Sequence, residues 1–169
     1  MMKAREIILV VVVVSALVIA SGVSVQAGSS RPDNAVGSIV IVDAGDNADV
    51  EFKAVEACEG IGASGFFKLD GKGGAVKIDA VVRFVKVDGR YTWFAGQCTA
   101  NSPAMAGRWF FAVVHDGGEP GKLVDHLWLD WLTRGPDVAK IAERKVENYE
   151  KPSCNKPIKD GNIIVCSSS

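Results

Sequence analysis

Residues 76–98 read VKIDAVVRFVKVDGRYTWFAGQC, and this stretch decides the fold class. Its first half alternates apolar and polar side chains, which is the period-two pattern of a strand with one buried face. The apolar members, predicted to share that face, are Val76, Ile78, Ala80, Val82 and Phe84. The pair Asp88-Gly89 is typical of a two-residue hairpin turn, and residues 90–98 return as the partner strand. The stretch therefore predicts an antiparallel hairpin packed against a hydrophobic core.

Short strand patterns recur on both sides of this hairpin, separated by turns rich in Gly, Asp and Asn. The predicted strands are Ser38–Asp43, residues 49–54, Phe66–Leu69, Gly107–His115, Leu123–Leu132 and Ile163–Val165, the last one after a predicted turn at Asp160-Gly161-Asn162. Together they predict an all-β fold of roughly seven to nine strands, arranged as an antiparallel sandwich or an open barrel.

One segment departs from the strand pattern. Over residues 138–149 the apolar side chains repeat at three and four residues, which predicts a short amphipathic helix ended by Pro152. Because β-rich surroundings can override such a pattern, this segment is left as either helix or strand.

The N-terminus has the layout of a secretory signal peptide over residues 1–27: a basic start, an apolar run and small residues before the cleavage position. We expect a flexible leader over 28–37, a single β domain over 38–166 and a disordered tail over 167–169. The alternative is an uncleaved membrane anchor, because the apolar segment approaches the length of a spanning helix. Both interpretations place the rest of the chain outside the cell, secreted or at the cell surface.

The charge balance does not favour binding to polyanionic partners. The chain carries a formal net charge of −1 at pH 7, and the predicted signal peptide takes two basic residues and one acidic residue with it. Without a basic surplus, neither nucleic acid nor an anionic membrane surface is an expected partner.

All four cysteines follow the predicted cleavage site: Cys58, Cys98, Cys154 and Cys166. Thiols oxidise outside the cell, so we expect two disulfide bonds that staple the fold. Three pairings are possible, and we favour Cys154 with Cys166, which closes a short loop and leaves Cys58 with Cys98. No pair has the spacing of zinc ligands.

Chemistry-bearing side chains concentrate around the second predicted hairpin, where His115, Asp116, Glu119, Asp125, His126 and Asp130 lie on or beside one loop. Asp116, Glu119 and Asp125 are candidate calcium ligands, and no other cofactor is expected. Glu119 and Asp125 are also the candidate carboxylates of a small glycoside hydrolase. A polar hairpin tip equally needs no function.

Aromatic side chains suggest a different site. Strand alternation places Tyr91 and Trp93 on one face, and it places His126 and Trp128 on the face opposite Leu127. Flat rings beside polar groups are typical of sugar-binding surfaces, because a pyranose stacks on the ring while its hydroxyls form hydrogen bonds. Tyr91, Trp93, His126 and Trp128 are therefore candidate ligand-binding residues. The alternative is that both sheet faces are covered and the tryptophans are buried.

Several short motifs carry a family resemblance: Ala63-Ser64-Gly65-Phe66, Arg108-Trp109-Phe110-Phe111, Asp116-Gly117-Gly118-Glu119-Pro120-Gly121, Asp125-His126-Leu127-Trp128 and Gly161-Asn162-Ile163-Ile164-Val165. With them, residues 60–166 resemble a post-COAP-type domain, a small module of secreted microbial proteins. The resemblance implies an all-β extracellular module of unestablished activity, and it carries over no catalytic residues. The cysteine-containing segment 154–166 and the strands before Cys58 depart from the pattern.

These observations predict a secreted or cell-surface, non-enzymatic module with a structural or adhesive role. Its expected partners are extracellular glycans or other surface proteins. A carbohydrate-binding module using Tyr91, Trp93 and Trp128 is the first alternative, and a small extracellular glycoside hydrolase is the second.

Overall fold

The computed structural model of the protein describes residues 32–43, 46–58, 62–71, 76–118, 124–153, 155–156 and 158–167. Within them lie nine strands: β1 (Asn34–Asp43), β2 (Asp46–Val55), β3 (Ser64–Gly71), β4 (Lys77–Asp88), β5 (Tyr91–Cys98), β6 (Trp109–His115), β7 (His126–Trp131), β8 (Asn155–Lys156) and β9 (Ile158–Cys166). A single described helix, α1 (Val138–Glu147), follows β7. Strands β1 to β7 form an antiparallel meander, β8 pairs with β7, and β9 pairs with β1. The all-β prediction is confirmed, and the sheet is nearly closed as a barrel.

The interior of the barrel is a packed core of side chains. Four phenylalanines meet at its centre, where the ring centre of Phe94 lies 5.5 Å from that of Phe52, 6.3 Å from Phe67 and 5.9 Å from Phe110. Aliphatic side chains from the surrounding strands fill the remaining space. Because protein interiors pack as densely as organic crystals, this core fills the space that a wider barrel would offer to a ligand.

A β-bulge in β4 changes which side chains face that core. Ile78, Ala80 and Val82 point inward as predicted, but the register against β5 shifts between Val82 and Phe84. The extra residue reverses the alternation, so Val85 continues the inner face. Phe84 lies outside instead, where its ring stacks on Trp109 at 5.8 Å. The prediction that Phe84 shares the inner face is therefore wrong.

A second irregularity replaces the predicted turn at Asp160-Gly161-Asn162, because β9 runs straight through these residues. Gly161 has a φ of +103° and sits opposite Ile39, next to a register shift in β1. A Cβ atom at Gly161 would collide with the carbonyl oxygen of Ser38. Gly161 therefore allows the backbone to form a β-bulge within the strand, and it does not mark a turn. At the other end of the pairing, β1 begins at Asn34, before the predicted start at Ser38, because residues 34–37 pair with both β2 and β9.

The helix covers part of the outer face. Contacts of α1 with β4, β5 and β6 bury Ala142 and Val146 against Phe111 in a second hydrophobic cluster outside the barrel. This packing decides residues 138–147 in favour of helix. Among the described helical residues, no stretch is long and apolar enough to cross a lipid bilayer.

The barrel closes at a seam beside β9. Strand β7 begins only at His126, so backbone N–H groups near the C-terminal end of β9 have no neighbouring strand to bind within the described residues. Two carboxylates accept hydrogen bonds from these N–H groups instead. Asp125 Oδ2 accepts the backbone N–H of Ile163 at 2.7 Å, and Asp116 Oδ2 accepts that of Val165 at 3.1 Å. We name Asp116 and Asp125 the seam clasp. It satisfies edge donors that would otherwise be open to pairing with another chain.

The remaining oxygens of the seam clasp hold the loop that carries it. Asp125 Oδ1 accepts the N–H of Gly117 at 2.8 Å, and Asp116 Oδ1 accepts that of Gly118 at 2.7 Å. All four carboxylate oxygens therefore accept backbone hydrogen bonds. The guanidinium of Arg90 adds a bond to the carbonyl of Gly117 at 3.2 Å.

Among the described residues Cys58, Cys98 and Cys166 are free thiols, so the predicted Cys58–Cys98 disulfide is not formed, whereas Cys154 lies outside the described residues. The antiparallel order explains why Cys58 and Cys98 do not pair, because β2 and β5 run in opposite directions and therefore end at opposite ends of the barrel. Cys58 follows the end of β2, whereas Cys98 ends β5. Burial raises the pKa of the Cys98 thiol, which favours its protonated form.

Thr92 provides a test of polar burial in the core. Its side chain is fully buried on β5, and its hydroxyl oxygen has no hydrogen-bond partner. Valine has the same shape without the unpaired hydroxyl, so we expect Thr92→Val to raise the free energy of unfolding by about 1 kcal/mol in urea denaturation. Thr99→Val is the matched control, because the Thr99 hydroxyl donates to the carbonyl of Asp79 at 3.0 Å. The control should lose stability, and a loss in Thr92→Val would contradict the prediction.

Candidate functional site

The candidate site lies on the outer face of β5, β6 and β7, where strand register arranges side chains in rows. Tyr91 sits opposite His115, and His115 sits opposite His126, which makes the first row. Trp93, Val113 and Trp128 make the second row in the same way. We name the five ring-bearing members the aromatic strip: Tyr91, Trp93, His115, His126 and Trp128.

The chain that follows α1 covers the second row. The ring of Tyr149 meets Trp93 edge to face, with the ring centres 4.9 Å apart. The ammonium group of Lys151 lies 4.2 Å from the ring centre of Trp128, within the range of a cation–π contact. Trp128 is only 8% exposed as a result. The interpretation that both sheet faces are covered therefore holds for Trp128, although it does face away from the barrel interior.

The first row stays open to solvent. Tyr91 is 39% exposed, and its ring centre lies 4.3 Å from that of His115. His126 lies 6.1 Å from His115 and stacks on Trp128 at 5.1 Å. The row combines an aromatic face for stacking with imidazole nitrogens for hydrogen bonds.

Two polar atoms of the strip are buried and have no hydrogen-bond partner, namely Trp93 Nε1 and His115 Nδ1. Burial lowers the pKa of His115, and the neighbouring His126 lowers it further, whereas Asp116 has the opposite effect. A neutral imidazole offers both a donor and an acceptor. His115 is thus suited to polar recognition in neutral solution.

The predicted calcium ligands are placed differently from the expectation. Asp116 and Asp125 form the seam clasp, where each oxygen already accepts a backbone N–H. Glu119 lies outside the described residues. In the part of the chain that the structure describes, no group of three or more Asp, Glu, His or Cys side chains is arranged to hold a metal ion. Calcium binding stays a prediction, and two of the three carboxylates it invoked, Asp116 and Asp125, hold the seam by hydrogen bonds.

The structure brings together all four sequence-predicted ligand-binding residues, Tyr91, Trp93, His126 and Trp128, in one strip. It adds His115, which the hairpin register could have placed there, since it is the direct cross-strand partner of two of them. Tyr149 and Lys151 had no signal in the sequence. Their contacts depend on how the chain leaves α1, where Tyr149 takes a positive φ of 53°.

A second concave surface crosses the outer face of β9, β1, β2, β3 and β4 as a groove of about 680 Å³. Charged side chains of both signs line it, including Asp49, Asp70, Asp160 and Lys77. Glu51 and Lys68 form an ion pair there at 3.8 Å, with both side chains more than half exposed. Such pairs are weak and typical of a solvated face, so the groove is a poorer candidate than the aromatic strip.

Comparisons with known proteins return no relative. No protein-family model, no curated protein and no solved structure matches this chain.

Proposed function

We propose that this protein is a non-enzymatic binding module of the cell exterior, and that it recognises a glycan through the open first row of the aromatic strip. The observation that carries the proposal is the exposed Tyr91 ring in one row with the partly exposed imidazoles of His115 and His126. A pyranose stacked on Tyr91 would place its hydroxyl groups next to His115 and His126. The signal peptide predicted for residues 1–27 and the resemblance to post-COAP-type domains agree with an extracellular role.

The two rows have different tasks in this proposal. Trp128 and Trp93 lie under Lys151 and Tyr149, and they support the first row from the side. Tyr91 also contacts Trp93, with their ring centres 5.6 Å apart. A surface backed by packed rings is preorganised, so little conformational entropy is lost when a ligand binds.

A hydrolase at this hairpin has less support. Asp125, one of its two candidate carboxylates, accepts backbone hydrogen bonds from Gly117 and Ile163. A general acid or base has to exchange protons with substrate, and Asp125 could do so only by releasing β9.

A purely structural role without a ligand is the second candidate function. The observation that favours it is the burial of Trp128, which removes one of the two largest rings of the strip from contact with a ligand. The packed barrel interior also favours a structural role, because its described side chains leave no space for a ligand inside the barrel. The two proposals differ in one respect only, namely whether the first row binds anything.

Glycan-array binding of Tyr91→Ala tests the proposal. We expect the wild-type protein to bind a defined glycan class and Tyr91→Ala to lose about 1–3 kcal/mol of binding free energy, or roughly fivefold to 150-fold in affinity. Phe66→Ala is the matched control, because Phe66 is a partly exposed ring on β3 that belongs to neither row. If the folded wild-type protein binds no glycan, or if Tyr91→Ala binds as well as Phe66→Ala, the structural role stands instead.

A further inference from the structure

We propose that His115 and His126 together bind one divalent transition-metal ion, such as Zn²⁺, Ni²⁺ or Cu²⁺. These ions prefer imidazole nitrogen, whereas calcium prefers oxygen ligands. The site is therefore chemically distinct from a carboxylate calcium site, and it does not depend on glycan binding.

The pairing of β6 and β7 supplies the geometry. His115 and His126 are direct cross-strand partners, and both point away from the barrel interior. Their ring centres lie 6.1 Å apart, and their planes are inclined by 32°. Zinc binds imidazole nitrogen at roughly 2.0–2.1 Å and so lies about 3.2 Å from the ring centre, so one tetrahedral ion joins rings whose centres are about 5.2 Å apart. The observed separation is about 1 Å larger than that, so both side chains have to rotate and bring their nitrogens together around the ion.

Both imidazoles are available for such an ion. Neither ring makes a hydrogen bond to another described residue, and His115 Nδ1 is buried without a partner. Both side chains are partly exposed, so an ion can reach the rings from solvent. The neighbouring side chains Tyr91 and Trp128 contact these imidazoles through their rings, so the pair keeps nitrogens free to act as a two-point ligand.

The backbone beneath the pair is held in place. Asp116 follows His115 and Asp125 precedes His126, so the seam clasp fixes the chain next to each imidazole. These two carboxylates favour a cation nearby, while Arg90 opposes it. The oxygens of the clasp already accept backbone N–H groups, so water would complete the coordination shell. The site is therefore a two-histidine surface site.

The chain contains only two histidines, so imidazole ligation of a metal ion can be assigned to His115 and His126. Isothermal titration calorimetry of the untagged protein with ZnCl₂ and with NiCl₂ should show one ion per chain. His115→Gln and His126→Gln should each weaken the affinity by roughly tenfold or more, because each removes one of two protein ligands. Cys166→Ser is the control for thiol binding, since Cys166 is exposed and free. Tyr91→Ala should keep the metal site, which separates this proposal from glycan recognition.

A second measurement needs no variant. Zinc is diamagnetic, so titration should shift the imidazole proton resonances of both histidines of the wild-type protein together, and chelation should reverse the shift. Two outcomes would overturn the proposal: metal affinity unchanged in both histidine variants, or no saturable binding of Zn²⁺ or Ni²⁺ by the wild-type protein up to about 1 mM. Zinc shifts confined to one imidazole would overturn the shared site as well.

Discussion

Replacing Phe94 with alanine is expected to lower the free energy of unfolding by about 3–5 kcal/mol, a large part of the stability of a domain of this size. Phe94 is fully buried and touches the rings of Phe52, Phe67 and Phe110 at the centre of the barrel. Alanine would leave a cavity that the closed sheet cannot collapse to fill, because each neighbouring strand is paired on both sides.

Urea denaturation followed by circular dichroism measures this loss. Phe66→Ala provides the comparison, since it removes the same ring from the outer face of the barrel. Phe66 is only partly buried, and the ammonium group of Lys68 lies 5.0 Å from its ring centre. We expect that variant to lose about 1 kcal/mol, from one exposed cation–π contact and a small apolar area. Equal losses in the two variants would show that the interior is not the packed core described above.

The second large effect is expected at the seam clasp. In the double variant Asp116→Asn, Asp125→Asn, each side chain keeps its size but exchanges one acceptor oxygen for an amide donor. Each exchange leaves one backbone N–H facing a donor, which costs about 1–3 kcal/mol. Together the two substitutions should remove about 2–6 kcal/mol of stability, because the lost bonds join β9 to the loop between β6 and β7.

Hydrogen exchange locates this effect within the molecule. The amides of Ile163 and Val165 should exchange faster in the double variant, while the pairing of β3 with β4, on the far side of the barrel, keeps its protection. Asp160→Asn is the control on the same strand, because the carboxylate of Asp160 accepts only the local N–H of Gly161, at 2.8 Å, among the bonds described. Unchanged protection of both amides in the double variant would show that the clasp does not close the barrel.

Residues 76–98 show how far periodicity carries a prediction. The hairpin between β4 and β5 and the inward direction of Ile78, Ala80 and Val82 follow from local pattern, and the structure confirms them. The turn itself is one residue later than predicted, at Gly89-Arg90, because Asp88 still pairs with Tyr91. The pattern fails at Phe84, because the bulge depends on pairing with β5 and on the second cluster outside the barrel. Alternation is a local property, whereas a bulge is a property of two paired strands.

The candidate site shows the same division. Strand alternation put Trp128 and His126 on the face away from the core, and it put Tyr91 with Trp93. Strand alternation could not predict how exposed those rings are, because their exposure depends on Lys151 and Tyr149, which follow the end of α1. Likewise, the acidic residues of the hairpin were visible in the sequence, but their engagement with β9 was not.

By itself, the sequence determined the antiparallel strands and the faces of Tyr91, Trp93 and Trp128, because these follow from side-chain order along a short stretch of backbone. The tertiary structure alone decided the closure of the barrel, the separation of Cys58 from Cys98 and the covering of Trp128. Those features join residues far apart in the chain, and their free energy arises only when the strands pair and the seam forms.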